Sequence, residues 1–75
     1  MGMVITRTYD DLGTQVSEEI WEDKRSMNTA RRRARSIASR FLFNSDDVQV
    51  YTADSGNLIA VRNPDGRLIA TIRLA

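Results

Sequence analysis

Residues 27–43, MNTARRRARSIASRFLF, form the stretch on which the fold depends. At about 100° per residue, six small or apolar side chains fall within one arc of about 100°: Met27, Ala30, Ala34, Ile37, Ala38 and Phe41. This stripe predicts an amphipathic helix that packs on a single surface. Either Ser26 or Asn28 offers the side-chain oxygen of an N-cap. Asn44 is a residue type that tolerates the left-handed conformation in which many helices end.

The opposite side of this helix carries five arginines and no acidic residue. Arg31 and Arg35 share one flank, Arg33 and Arg40 share the other, and Arg32 points directly away from the stripe. A guanidinium group can grip a carboxylate or a phosphate with two parallel hydrogen bonds. Two interpretations therefore stay open, namely the solvated back of a helix in an arginine-rich chain, or a binding surface for an acidic partner.

Five strand-like segments flank the helix, two before it and three after it. They are rich in β-branched and aromatic residues, and turn signals separate them. The predicted strands are residues 3–9, 14–21, 48–53, 58–62 and 67–74, and the predicted connections are residues 10–13, 22–25, 45–47, 54–57 and 63–66. The order β-β-α-β-β-β predicts an α+β fold, in which one five-stranded antiparallel sheet carries a single helix on one face. One domain would span residues 1–75.

The last hairpin determines which apolar side chains face away from the helix. If residues 63–66 close a three-residue bulged loop, one set of side chains points to the helix: Leu58, Ala60, Leu68, Ala70 and Ile72. A possible apolar contact face then lies on the other side: Ile59, Val61 and Ile69. Three aromatic residues are further contact candidates, although each is more often core or edge packing: Trp21, Tyr51 and Tyr9.

Length and charge limit the possible classes of protein. A chain of 75 residues without cysteine is one domain with a small core, and a homodimer would be a simple way to bury more surface. The net charge is +1, which is low for a dedicated nucleic-acid binder. Residues 1–25 hold six acidic and three basic residues. The basic helix would therefore meet either an acidic partner or the acidic strand that precedes it.

We expect neither a catalytic site nor a cofactor. Histidine and cysteine, the commonest catalytic groups, are absent. The acidic pairs at residues 10–11 and 46–47 lack the ligand spacing of a calcium loop, and the sequence has no glycine-rich phosphate loop. We expect no signal peptide, and no segment reaches the roughly 20 apolar residues of a membrane span. The lack of cysteine fits a reducing cytoplasm.

Three segments of the chain resemble a known group of proteins. They are GTQV at residues 13–16, ARSIAS at residues 34–39 and LIAVRNPDGRLIATI at residues 58–72. Together with the order of elements, they are similar to small phage-encoded anti-CRISPR proteins that have a single helix on a five-stranded antiparallel sheet and act on type I CRISPR surveillance complexes. This chain departs from that pattern by carrying arginine on the helix rather than lysine across the sheet.

The resemblance implies a stoichiometric protein-binding inhibitor in the cytoplasm of a bacterial host cell. Such a protein would bind the CRISPR effector ribonucleoprotein and block or misdirect its engagement of DNA. The residues that we expect to contact this partner lie on the helix and beside the last turn: Arg31, Arg32, Arg35, Arg62 and Arg67.

Two other classes of function stay open. A small phage regulator would lay the arginine-rich helix along nucleic-acid phosphates, and such binding weakens steeply with salt. A homodimeric accessory protein would instead use the apolar face of Ile59, Val61 and Ile69.

Overall fold

A five-stranded antiparallel sheet with one helix on one of its faces forms the fold. The computed structural model describes residues 2–44 and 47–75. The elements are β1 (Gly2–Tyr9), β2 (Gln15–Asp23), α1 (Met27–Asn44), β3 (Gln49–Ala53), β4 (Leu58–Arg62) and β5 (Leu68–Leu74), with a short 3-10 turn at Asp54–Gly56. The predicted fold class and order of elements are confirmed. In the loop predicted at residues 45–47, Ser45 and Asp46 lie outside the described residues.

The strands lie in the order β2-β1-β5-β4-β3. β1 and β5, the first and last strands in sequence, are therefore neighbours at the centre of the sheet, with Val4 opposite Leu74 and Thr8 opposite Ala70. β2 and β3 form the two edges. The helix crosses the middle of the sheet, so a groove remains on each side of it.

The alanine stripe brings α1 close to the sheet. The prediction of this stripe is confirmed, because its three alanines are buried and its three larger members pack partly buried against the same core. Val4, Ile59 and Ile72 supply much of the sheet side of that core. A Cβ atom on Gly2 would lie only 2.7 Å from the Cβ of Ala30. Small residues on both elements therefore set the distance between β1 and the start of α1.

Two side chains hold the chain where it passes from β2 into α1. Asp23 is 3% exposed, and its Oδ1 accepts a hydrogen bond of 2.8 Å from the backbone N–H of Arg25. Ser26 Oγ accepts hydrogen bonds from the backbone N–H groups of Asn28, at 3.1 Å, and of Thr29, at 3.4 Å. Of the two predicted candidates, Ser26 is therefore the N-cap of α1.

A β-bulge in the last hairpin changes which side chains of β4 face the helix. Next to the turn, Arg62 lies opposite Leu68, as the predicted loop requires. The register then shifts by one residue, so that Val61 lies opposite Ala70. Because neighbouring residues of a strand point to opposite faces, this shift turns the rest of β4 over relative to β5.

The predicted apolar contact face at Ile59, Val61 and Ile69 is therefore wrong for its two members in β4. Ile59 is 6% exposed and Val61 is 0% exposed, both on the face that α1 covers. Leu58 and Ala60, which the sequence pattern places on the helix side, lie instead on the opposite face and are partly buried. Ile69, at the bulge, is also partly buried.

The turn between β3 and β4 has a left-handed backbone. Asp54, Ser55 and Gly56 have φ angles of 54°, 56° and 90°. The carbonyl of Asn57, just after this turn, accepts a hydrogen bond of 2.8 Å from the N–H of Leu74. Glycine adopts a left-handed conformation without steric cost, whereas in other residues the Cβ atom makes this conformation sterically unfavourable. Asp54 and Ser55 therefore carry local strain.

Candidate partner-binding surface

A groove with a basic rim runs between α1 and the end of the sheet where β3 meets β4. Its volume is about 370 Å³. Arg31 and Arg35, two of the arginines predicted to bind a partner, line this basic groove together with residues of the sheet and helix: Ala34, Thr52, Gly56, Ile59 and Leu74. Among these described lining residues, none is acidic. The basic groove thus combines an apolar floor with two guanidinium groups.

The helical spacing explains why these two arginines meet at the basic groove. Ala34 turns its small side chain to the sheet, while Arg31 and Arg35 lie one turn apart on the adjoining flank of α1. Both arginines are exposed. Arg31 Nη1 donates a hydrogen bond of 3.2 Å to Oδ1 of Asn28. This bond orients the guanidinium and leaves its other N–H groups free to bind a ligand.

The ion pairs between described residues lie in strands and loops and not on α1: Arg7–Glu18, Arg25–Asp23, Arg67–Asp11 and Arg73–Asp54. Arg32 is exposed and lies on the side of α1 away from the sheet. Arg31, Arg32 and Arg35 together form a continuous exposed basic surface, which we call the arginine face.

Arg62 and Arg67 form a separate group at the β4–β5 turn. Arg62 Nη1 donates to the carbonyl oxygen of Gly66 at 2.8 Å, and Arg67 Nη1 donates to Oδ1 of Asp11 at 2.5 Å. These contacts connect the turns at one end of the sheet. The basic groove borders the other end of β4, about 13 Å away along the strand. The structure therefore does not bring the five predicted arginines together.

A second groove, between α1 and β2, contains residues that the sequence pattern does not single out. Its volume is about 380 Å³, and it holds both Glu19 and Arg33. The guanidinium carbon of Arg33 lies 5.9 Å from the centre of the Trp21 ring, which is a cation–π contact. The Nε atom of Arg33 is buried and has no hydrogen-bond partner among the described residues.

This second groove extends along α1 toward Arg40 and Phe41. It differs from the basic groove because Glu19 balances its arginines. Two signals in the sequence point to it, namely the spacing of seven residues between Arg33 and Arg40, and the alternation that puts Glu19 and Trp21 on one face of β2.

The three aromatic candidates have different environments. Trp21 is partly buried and packs against the core. The hydroxyl groups of Tyr9 and Thr71 share a hydrogen bond of 3.3 Å. Tyr51 is 49% exposed on the edge strand β3, and its hydroxyl donates a hydrogen bond to Gln49 Oε1. Tyr51 is therefore the one of the three that offers a large exposed surface.

The pKa of Asp23 lies below the ordinary value of an aspartate. The main cause is the hydrogen bond from the Arg25 backbone N–H, which stabilises the carboxylate, while burial acts in the opposite direction. The Thr29 hydroxyl and the charge of Arg25 lower the pKa further. Asp23 thus stays ionised near neutral pH and supports the start of the helix that presents the arginine face.

Comparisons with protein-family models, with curated proteins and with solved structures found no match. Within residues 2–44 and 47–75, no cluster of three acidic side chains is placed to hold a metal ion. No helix in the same part of the chain is long and apolar enough to cross a membrane. The chemistry that the arrangement offers is the recognition of an acidic group by exposed guanidinium groups beside an apolar floor.

Proposed function

We propose that this protein is a non-enzymatic binding protein that engages an acidic partner through the arginine face of α1. The basic groove is the observation that carries this proposal. Arg31 and Arg35 flank its apolar floor, and the described residues that line it include no acid to neutralise them. An acidic side chain of a partner can therefore hydrogen-bond at the rim while its aliphatic stem lies along the apolar floor.

The proposed partner is a type I CRISPR surveillance complex, and the proposed action is inhibition. This part of the proposal rests on the resemblance to small phage-encoded anti-CRISPR proteins. A protein of 75 residues that occupies an acidic patch of such a complex blocks or misdirects DNA engagement by steric exclusion. No chemical step is needed, and the expected stoichiometry is one inhibitor per binding surface.

The distribution of charge favours a local contact over a long nucleic-acid track. The net charge is only +1. β2, beside the other flank of α1, carries Glu19 on the side that faces α1. A duplex that lay along α1 would approach this carboxylate, which repels phosphates. A small nucleic-acid-binding regulator is therefore the second candidate, and the experiment below separates the two.

The experiment is a pull-down of the tagged protein from a lysate of bacteria that contain a type I CRISPR system, with and without nuclease. We expect a defined protein complex that survives nuclease treatment. The double variant Arg32→Glu with Arg35→Glu reverses two charges of the arginine face. It should weaken binding at least about tenfold, because each new glutamate would face acidic groups of the partner. The fold should persist, since both side chains are exposed.

Lys24→Glu with Arg40→Glu is the matched control. It changes the net charge by the same amount, and both residues are exposed but do not line the basic groove. This control should retain binding. Unchanged binding by the Arg32 and Arg35 variant would contradict the proposal. Recovery of nucleic acid alone, lost on nuclease treatment, would instead support the regulator.

A further inference from the structure

The two edge strands of the sheet differ in charge. β2 and β3 each have a neighbouring strand on one side only, so a row of backbone N–H and C=O groups faces outward along each edge. β2 includes Glu18, Glu19, Glu22 and Asp23, whereas β3 reads QVYTA at residues 49–53 and contains no charged residue. Charged side chains on an edge strand discourage its pairing with another chain. β2 therefore has this protection against an acidic segment, and β3 has none.

The composition and geometry of β3 are those of an edge that can accept a further strand. Val50, Tyr51 and Thr52 are β-branched or aromatic residues, which favour strands. The strand contains no proline, and its pairing with β4 runs over residues 49–53 without a bulge. Proline and bulges are the other common means of protecting an edge. An extended segment of another chain can therefore pair with β3 through backbone hydrogen bonds.

The basic groove reaches this edge of the sheet. Thr52 of β3 lies opposite Ile59 of β4, and both line the basic groove with Arg31 and Arg35 of α1. A strand that pairs with β3 would lie about 4.8 Å beyond it. Every second side chain of that strand would point to the same face as Thr52. These side chains would therefore lie on the side of the sheet that carries the two arginines.

We propose that the partner supplies an extended acidic segment, which adds a strand to β3 and directs its carboxylates into the basic groove. This inference rests on the proposed function and specifies the form of the acidic partner. The described residues that line the groove include no acid, so Arg31 and Arg35 match carboxylates on the added strand. The glutamates of β2 would repel the same segment at the opposite edge.

A second copy of this chain matches the groove less well than an acidic segment does. Pairing between two β3 strands would bring only residues 49–53 of one copy to the edge of the other, and these include no acid. The arginines of both basic grooves would then gain no carboxylate from the added strand. The charge of the groove therefore favours a different, acidic chain.

The test is a titration of the full-length ¹⁵N-labelled protein with a capped peptide of about eight residues that alternates threonine and glutamate. As a strand, this peptide places all its glutamates on one face. We expect shifts of the backbone amides of residues 49–53. The peptide should bind at least about tenfold more tightly than the same peptide with glutamine in place of glutamate, because hydrogen bonds to charged groups are stronger than neutral ones.

Substitutions in α1 test whether the basic groove causes this preference. Arg31→Gln with Arg35→Gln should remove the preference for glutamate over glutamine. Lys24→Gln with Arg40→Gln is the matched control, because it changes the net charge equally at two exposed residues outside the basic groove. The control should retain the preference. Loss of the preference in both double variants would overturn the assignment of the carboxylates to the groove.

Two N-methylated forms of the peptide test the pairing of backbones. A strand directs the N–H and C=O groups of alternate residues to one edge. One peptide is therefore methylated at the nitrogens of its threonines and the other at those of its glutamates. The peptide that is methylated along the edge facing β3 should lose affinity at least about tenfold, since several hydrogen bonds are blocked. The other peptide should retain affinity. Turning the strand over would move its glutamates away from the groove.

Three results would overturn the proposal. They are the absence of shifts at residues 49–53 with millimolar peptide, equal affinities of the two methylated peptides, and shifts at these residues when the protein alone is concentrated, which would indicate pairing between two copies. The pull-down separates such a failure from a failure of the proposed function. If a protein complex is recovered while the two methylated peptides bind equally, the strand addition is wrong and the proposed function stands.

Discussion

Replacing Gly2 with alanine should destabilise the fold by forcing β1 away from the start of α1. The new Cβ would lie 2.7 Å from the Cβ of Ala30, 3.0 Å from the Cα of Met27 and 3.2 Å from the carbonyl oxygen of Ser26. Carbon atoms in contact are normally about 3.5–4.0 Å apart, so the helix or the strand must shift by nearly an ångström. Backbone hydrogen bonds of 3.0 Å between Met3 and Ala75 resist a shift of β1.

Overpacking of this kind costs about 1–3 kcal/mol. Alanine also lowers the conformational entropy of the unfolded chain, which stabilises the fold by about 0.4–1 kcal/mol. We therefore expect Gly2→Ala to lower the free energy of unfolding by about 1–2 kcal/mol. Urea unfolding, followed by Trp21 fluorescence and by circular dichroism, measures this change.

A double-mutant cycle identifies Ala30 as the cause. Ala30→Gly alone should cost about 2 kcal/mol, from helix propensity and the loss of a buried methyl group. In the double variant the closest clash is absent, so its cost should be about 1 kcal/mol less than the sum of the two single costs. Gly13→Ala is the control, because it is destabilised only by its φ of 81° and its Cβ would meet nothing within 4 Å. Ala30→Gly should not compensate for it. Additive costs at Gly2 and Ala30, or a Gly2→Ala variant as stable as the parent, would refute the reasoning.

Substitutions at three further positions test local features. Ser55→Gly removes a non-glycine residue at a φ of 56° and should raise the free energy of unfolding by about 0.5–1 kcal/mol, seen as a higher Tm; an unchanged Tm would argue against strain there. Ser26→Ala removes the N-cap of α1 and should cost about 1 kcal/mol in urea unfolding, whereas Ser26→Asp should retain most of the stability. Asp23→Asn should be less stable than the parent near neutral pH. Because the folded-state pKa of Asp23 is lowered, the contribution of this carboxylate to the free energy of unfolding is complete above the unfolded pKa of about 3.9. The contribution is lost as pH falls through the folded-state pKa. The difference between parent and Asp23→Asn should therefore shrink below about pH 4; a constant difference would contradict the assignment.

The helix and the strand order along the chain could be predicted because they depend on short-range patterns. The stripe that contains Ala30, Ala34 and Ala38 repeats with the period of a helix, and no other segment of the chain does so. The boundaries of β4 at Leu58–Arg62 agree with the prediction. Turn residues marked the ends of the strands, including the glycine at position 66, where φ is 85°.

The face assignment of β4 and the two grooves could not be predicted in the same way. A single bulge next to Arg62 moves Ile59 and Val61 from one face to the other, and no residue type in the hairpin marks that bulge. The basic groove depends on which strands lie under each flank of α1, and that order results from long-range pairing. The sequence therefore identified Arg31 and Arg35 as exposed helix residues, while their apolar neighbours became visible only in three dimensions.

The pairing of β1 with β5 at the centre of the sheet has a consequence for synthesis in the cell. The paired residues Val4 and Leu74 are separated by nearly the whole sequence. The hydrogen bonds between β1 and β5 therefore cannot form until β5 has left the ribosome. Until then the β1–β2 hairpin and the apolar stripe of α1 have no complete surface to pack on. Loop closure over such a separation slows folding. Assembly of this sheet should therefore be a late, cooperative event rather than one that proceeds strand by strand during translation.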